Sequence, residues 1–170
     1  AALAMAMGHV ILKEYYIDKE TPYFKEYAKE FTDMPFLVRV EDINGTVQPG
    51  RFLNAKDLGR QEEGADFQMV LIDETTNEIV IPNGTMGERH TNPQKWNLRL
   101  ENRDTGAKID PRLSVFDQRE DVTVVKLPYF GDEEHEGVIE RAIPTITVQT
   151  VDGPVKVTTV YDLILANYGI

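Results

Sequence analysis

The first twelve positions, Ala1-Ala2-Leu3-Ala4-Met5-Ala6-Met7-Gly8-His9-Val10-Ile11-Leu12, are almost wholly apolar. A helix here would be hydrophobic on every face and would need burial all round. No Ser, Thr, Asp or Asn stands ahead of it as a cap. It is shorter than the roughly 20 apolar residues of a membrane span, and no basic region marks it as a signal peptide. We expect a helix cut off at its start, with packing partners outside the sequence. Asp18-Lys19-Glu20-Thr21-Pro22 then breaks the pattern, with Thr21 as cap and Pro22 at the first helical position of a second helix. In that helix Tyr23, Phe24, Tyr27, Ala28 and Phe31 share one face, and Lys25, Glu26, Lys29 and Glu30 lie outside. Thr32-Asp33-Met34-Pro35 ends it, because the residue before proline avoids the helical region.

From Phe36 the period changes to that of strands. Phe36-Leu37-Val38-Arg39-Val40 reads as a buried strand, and Asn44-Gly45 is a strong hairpin signal, so Thr46-Val47-Gln48 begins the return. Pro49-Gly50 punctuates it before Arg51-Phe52-Leu53 and a turn at 54–57. Strands are expected at 67–72 and 78–81 around Asp73-Glu74-Thr75-Thr76-Asn77, with a loop at Pro82-Asn83-Gly84-Thr85-Met86-Gly87. Alternation at 96–100 and 113–116 flanks a turn at Asp104-Thr105-Gly106. A strand at 122–127 is closed by Pro128, and a late hairpin joins 145–151 to 155–160 across Asp152-Gly153-Pro154. The last stretch runs from strand into a short helix, and Gly169 suits the left-handed residue that closes it. An apolar Ile170 end again reads as part of something longer. The fold class is therefore α+β: antiparallel hairpins flanked by an apolar helix, an amphipathic helix and a short C-terminal helix. The organisation is one unit, helical over 1–31, mainly β over 36–160 and helical over 161–169.

Composition narrows the chemistry. The 170 residues include 18 Lys and Arg against 29 Asp and Glu, a net charge of −11. That balance argues against nucleic acid, whose phosphates demand clustered basic side chains. There is no Cys, which excludes disulfides, thiolate nucleophiles and iron–sulfur ligation by this chain. His9 lies in the apolar helix and reads as a packing residue. His90 follows Glu88-Arg89 in a polar loop. His135 sits in Asp132-Glu133-Glu134-His135-Glu136, which lacks the ordered spacing of a calcium loop and reads as a solvated acidic stretch. Ser114 has no nucleophile elbow around it, no phosphate loop occurs, and Glu62-Glu63 is an acidic pair without a pocket. No enzyme mechanism follows from these residues.

Several blocks taken together resemble a known family. The opening run 1–11 is similar to the helix that follows a Gly-Thr-Asp turn in molybdopterin-dependent oxidoreductases. Tyr23-Phe24, Phe31-Thr32-Asp33-Met34-Pro35-Phe36-Leu37-Val38, the 82–87 loop, Lys95-Trp96-Asn97-Leu98 and Pro128-Tyr129-Phe130-Gly131 resemble the α subunit of respiratory membrane-bound nitrate reductase. So does Thr158-Thr159-Val160-Tyr161-Asp162-Leu163-Ile164-Leu165-Ala166-Asn167-Tyr168-Gly169, in the family's order. The resemblance implies a parent subunit that reduces nitrate to nitrite at molybdenum held by two molybdopterin guanine dinucleotides (Mo-bis(molybdopterin guanine dinucleotide)). Its electrons arrive through iron–sulfur centres, a 4Fe-4S cluster among them, from a quinol-oxidising membrane γ subunit and an iron–sulfur β subunit.

It further implies a peripheral place on the cytoplasmic face of the cell membrane. The family's cluster ligands and molybdenum-ligating Asp lie upstream, so Asp18, Asp33 and Asp162 take no such role. No catalytic, cofactor or metal residue is assigned here, although Asn83, Gly84 and Trp96 are candidates for a cofactor or subunit surface. The expected partners are the remainder of the α subunit and the β and γ subunits, with self-association of the isolated chain. The alternatives are a stand-alone acidic interaction module and a related molybdenum reductase acting on selenate or chlorate.

Overall fold

A computed structural model describes residues 2–84, 99–128 and 138–170. Helix α1 (Ala2–Ile11) runs on through Ile11, itself in helical conformation, into a π-helical segment (Leu12–Asp18). Helix α2 (Pro22–Phe31) follows, with Pro22 at its start as its fixed φ favours. Thr21 occupies the cap position, but its side chain makes no capping bond. Its backbone carbonyl instead accepts from Phe24 and Lys25 N–H.

Strands β1 (Leu37–Ile43) and β2 (Thr46–Phe52) form the expected hairpin, with Asn44 and Gly45 both at positive φ, +56° and +80°. That is the twist-matched turn that Asn-Gly favours. A Cβ on Gly45 would meet nothing within 4 Å, so its requirement is purely conformational. Gly45→Ala is expected to destabilise the chain by about 1–2 kcal/mol, the cost of a left-handed non-glycine residue, read from the urea midpoint with an unchanged slope.

Pro49-Gly50 does not end β2. The register against β1 shifts there, with Pro49 opposite Val40 and Phe52 opposite Val38. β2 is the outermost strand of its sheet, and an edge tolerates both a bulge and a residue without N–H.

The central sheet has the order β2-β1-β9-β8-β7, all antiparallel, with β7 (Asp121–Pro128), β8 (Val138–Thr150) and β9 (Gly153–Thr159). β8 changes partner along its length: residues 138–145 pair with β7 and 146–150 with β9. Pro144 stands at the change, where a missing donor is tolerated. The sheet curls, so Val40 and Val47 from one end pack with Val125, Leu127 and Ile143 from the other, under Leu163 and Ala166 of helix α3 (Val160–Asn167). Leu37, Leu53, Val70, Val148 and Val157 make the largest cluster on the other side.

Two short pairs complete the fold: β3 (Leu71–Ile72) with β4 (Ile79–Val80), and β5 (Pro82–Asn83) with β6 (Arg99–Asn102). Three expectations change here. Phe67 closes a 3₁₀ turn after left-handed Gly64 rather than opening a strand. Pro82 and Asn83 are strand, not loop. The stretch 113–116 is not a ladder strand; Val115 leads into a 3₁₀ turn at Phe116–Gln118. Asp162 accounts for that last difference, because its carboxylate takes the Val115 N–H that a neighbouring strand would otherwise bind.

The architecture is α+β, as the hydrophobic pattern predicts. Helix α3 closes with Gly169 at φ +76°, its N–H on Ala166 O and the Ile170 N–H on Leu165 O. That pair of bonds is a Schellman cap. The apolar opening helix finds no all-round burial in this chain: none of its residues is buried, and Leu3 is 75% exposed.

Candidate functional site

The helices meet the sheet around a cleft of about 520 Å³. Tyr16 and Ile17 of the π segment, Leu113, Pro144 of β8 and Tyr161, Leu165 and Ala166 of α3 form its apolar walls, and Glu20, Lys25, Lys29 and Glu74 stand among its polar lining. Tyr16 and Phe24 have ring centroids 5.3 Å apart, and Tyr16 and Tyr161 6.2 Å. Those spacings suit tilted aromatic pairs. Lys25 pairs with Glu20 at 2.9 Å, and Lys29 with Asp110 at 2.6 Å. Burial pushes the Tyr161 phenol well above its usual range, with the Asp162 charge adding to it, so it stays protonated.

Asp162, at 3% exposure, is the buried carboxyl of this cleft. It accepts from Ser114 Oγ at 2.6 Å, Val115 N–H at 2.9 Å and Thr159 Oγ1 at 2.9 Å. Thr159 Oγ1 in turn accepts from the Asp162 N–H at 3.1 Å, capping α3. Burial raises the Asp162 pKa, and the hydrogen bonds oppose that rise. With its donors all supplied from within the chain, the carboxyl acts as a fastener rather than a base. The cleft suits packing by an apolar group better than proton transfer.

Two other buried aspartates are fastened in the same manner. Asp57 takes Arg51 in a two-pronged pair at 2.5 and 2.7 Å, Arg39 at 3.3 Å and the Asn54 N–H at 3.0 Å. Burial alone would raise its pKa, but the Arg51 hydrogen bond and the rest hold it below the usual carboxylate range. Asp73 binds the N–H groups of Asp110 and Thr75 and the Thr76 hydroxyl. These bonds likewise outweigh burial and hold it low. Arg112, also buried, donates to Asn77 Oδ1 at 2.6 Å and to Gln118.

The residues singled out from the sequence do not converge. His9 is half-buried and its Nδ1 donates to the Tyr168 carbonyl at 2.7 Å, tying α1 to the end of α3. Beside it Gly8 lies so near Tyr168 that an added Cβ would fall 2.2 Å from Cε1. Ser114 belongs to the Asp162 fastener. Glu62 and Glu63 are exposed, as are Asp18 and Asp33. Asn83 Nδ2 donates weakly to Glu101 at 3.4 Å, and Gly84 sits at φ +85°. His90, Trp96, His135 and the acidic run 132–136 lie outside the described residues, as do 85–87, 95–98 and 129–131 of the family blocks.

The buried aspartates were missed because charge alone does not reveal burial, yet a signal existed. Thr159-Val160-Tyr161-Asp162 has the spacing of a capping box before an apolar run.

No protein-family model matches the chain. Curated proteins do match. The nitrate reductase alpha chain of Bacillus subtilis is 47% identical over 99% of this chain. The respiratory nitrate reductase 1 alpha chain of Escherichia coli is 40% identical over all of this chain, and the nitrate reductase alpha subunit of Mycobacterium tuberculosis 38% identical over 99% of it. This chain is homologous to a segment of nitrate reductase alpha chains. It spans about 14% of the length of each of these relatives. The homologues are oxidoreductases by name, and the resemblance carried by the separate blocks extends over the whole chain.

The described residues do not fit the metal groups that the resemblance implies for a parent subunit. The sequence has no Cys for an iron–sulfur cluster, and among the described residues no three His, Asp or Glu are placed to hold a metal ion. The lone pairs of Asp57, Asp73 and Asp162 are committed to partners in the chain. Among the described residues, no helix is long and apolar enough to cross a membrane.

Proposed function

We propose that this chain is scaffold within the catalytic alpha chain of a respiratory nitrate reductase. The observation that supports it is 38–47% identity to such alpha chains across essentially every residue. In this reading the parent reduces nitrate to nitrite at a Mo-bis(molybdopterin guanine dinucleotide) centre. Electrons come from quinol by way of 4Fe-4S and other iron–sulfur clusters, the β subunit and the membrane γ subunit, and the complex sits on the cytoplasmic face of the membrane. Removing one oxygen atom from nitrate with two electrons is the cofactor's chemistry. The residues described here contribute packing surfaces, and no step passes through them.

The purified chain is expected to fold around its β sheet, to hold no molybdenum or iron and to show no reduced-viologen nitrate reductase activity. Turnover, or stoichiometric metal, would overturn the scaffold reading. Reading the coding sequence on either side separates this proposal from a stand-alone acidic module: an upstream Cys set and Asp are expected.

Leu3, Met7, Val10, Ile11, Tyr23, Tyr27 and Phe31 are exposed on the helices. A surface of this kind is covered in a larger protein or sticks to itself, and the chain is accordingly expected to self-associate in sedimentation.

A further inference from the structure

The π-helical segment has a five-residue repeat in its own sequence. Leu12 and Ile17 are both apolar; Lys13 and Asp18 carry opposite charges, and so do Glu14 and Lys19. Along an α-helix, residues five apart are turned about 140° from one another and do not meet. In a π turn, closed by i→i+5 hydrogen bonds, the helix is wider and residues five apart return to the same side, as residues four apart do in an α-helix.

The charged pairs do meet. Lys13 Nζ reaches both Asp18 oxygens, at 2.7 and 2.9 Å, and Lys19 Nζ lies 3.4 Å from Glu14 Oε2. Beneath them the Lys19 N–H donates to Glu14 O at 3.0 Å, the i→i−5 bond of the π register. Leu12 is buried and Ile17, one wide turn later, stands in the cleft wall beside Tyr16.

Strain continues into the connection. Glu20 holds φ +45° although it has a side chain, and the Thr21 N–H reaches back to Tyr15 O at 2.9 Å. Relaxing the π turn to an α turn would release one residue into this tight connection. It would also rotate Ile17 away from the line of Leu12, out of the cleft.

We propose that residues 12–19 are a register latch, in which the Lys13–Asp18 and Glu14–Lys19 pairs hold the π turn and so keep Ile17 in the cleft wall. Salt, or any charged surface that competes for these side chains, releases the latch toward the α register and widens the cleft on its π-helical side. The inference stands on this geometry alone and is independent of the nitrate reductase reading.

Scalar couplings across hydrogen bonds report the acceptor directly. In the full chain at low salt, the Lys19 nitrogen is expected to couple to the Glu14 carbonyl carbon. In the double variant Glu14→Gln, Asp18→Asn, the coupling is expected to move toward Tyr15, the α acceptor. These side chains are about half exposed, so folding is not at risk. Each such pair is worth a factor of roughly 1.5–5, and removing both should raise the α-to-π ratio about 2- to 25-fold. Salt near 1 M, where the screening length is about 3 Å, should shift the unmodified chain the same way.

Placing the acid four residues from Lys13, by Ile17→Asp with Asp18→Ile, should complete the shift. Glu20→Gly, which fits the left-handed conformation, should hold the π register more firmly. If the coupling stays on Glu14 in the double variant and in high salt, packing alone sets the register and the latch is wrong.

Discussion

Asp162→Ala is expected to lower the stability of the chain by roughly 3–5 kcal/mol, close to the limit for a single substitution. The carboxyl is buried and joins the first turn of α3, the end of β9 and the 114–115 segment, partners up to 48 residues apart in sequence. Alanine leaves the Ser114 hydroxyl, the Val115 N–H and the Thr159 hydroxyl without their acceptor, and buried donors left unpaired cost about 1–3 kcal/mol each. A thermal midpoint lower by roughly 10–15 °C is the corresponding shift for a domain of this size. Asp162→Asn keeps one acceptor oxygen and should lose about half as much.

The pH dependence has a definite sign. Burial raises the native pKa of Asp162 above its unfolded value, so the unfolded chain ionises first as pH rises. The stability contribution of the carboxyl is complete below its unfolded pKa and declines as pH passes through the raised native value. Urea midpoints of the parent and Asp162→Asn should therefore converge as pH increases through that window. A gap that widens would contradict the assignment.

Asp57→Ala is expected to cost about 2–4 kcal/mol, for a different reason. Removing one member of a buried ion cluster leaves the others uncompensated. Arg39, mostly buried, and Arg51 would face each other with Glu41 and Asp152 as nearby acids. Arg51 is half exposed, so Arg51→Lys should cost far less than loss of the carboxylate.

Here the linkage is reversed. Hydrogen bonds and the two guanidinium groups outweigh burial and depress the native pKa of Asp57. Its contribution is present above the unfolded pKa near 4 and disappears as pH falls through the lower native value. The destabilisation by Asp57→Ala, measured by urea titration, should thus be larger at pH 7 than at pH 3. Asp73, held low by the Asp110 and Thr75 amides and the Thr76 hydroxyl, works with Asp57 and against Asp162 on acidification.

The hairpins and helices were legible where local chemistry suffices. Asn44-Gly45 specifies a turn by its own φ preferences, and Gly169 closes α3 for the same reason. Thr21-Pro22 marks the start of α2, although the Thr21 side chain does not make the bond its residue type allows. Pro49-Gly50 punctuates β2 as a register shift rather than a break, because an edge strand forgives a missing donor and an interior one does not. Whether β2 is an edge depends on which strands β9 and β8 find, and hydrophobic alternation carries no such information.

The site shows the same division. The Thr159-x-x-Asp162 spacing was available in the chain, but the burial of Asp162 depends on Ser114 and Val115 arriving from 47 to 48 residues away. The five-residue charge repeat of the π segment was likewise present from the start. It becomes visible only against a helix of the matching turn, since an α-helix scatters those pairs around its surface.

From local pattern alone, then, the sequence specified the α+β class, the β1–β2 and β8–β9 hairpins, the helix ends and, through its family blocks, kinship with nitrate reductase alpha chains. Tertiary structure alone decided the β2-β1-β9-β8-β7 order, the change of partner along β8 and the curl that brings Val40 and Val47 under α3. It also decided which aspartates lose their water and so which way each pKa moves. Turns and caps are settled by the conformational preferences of a few adjacent residues. Strand partners and buried charges are settled by groups far apart in the chain, whose desolvation begins only when they meet.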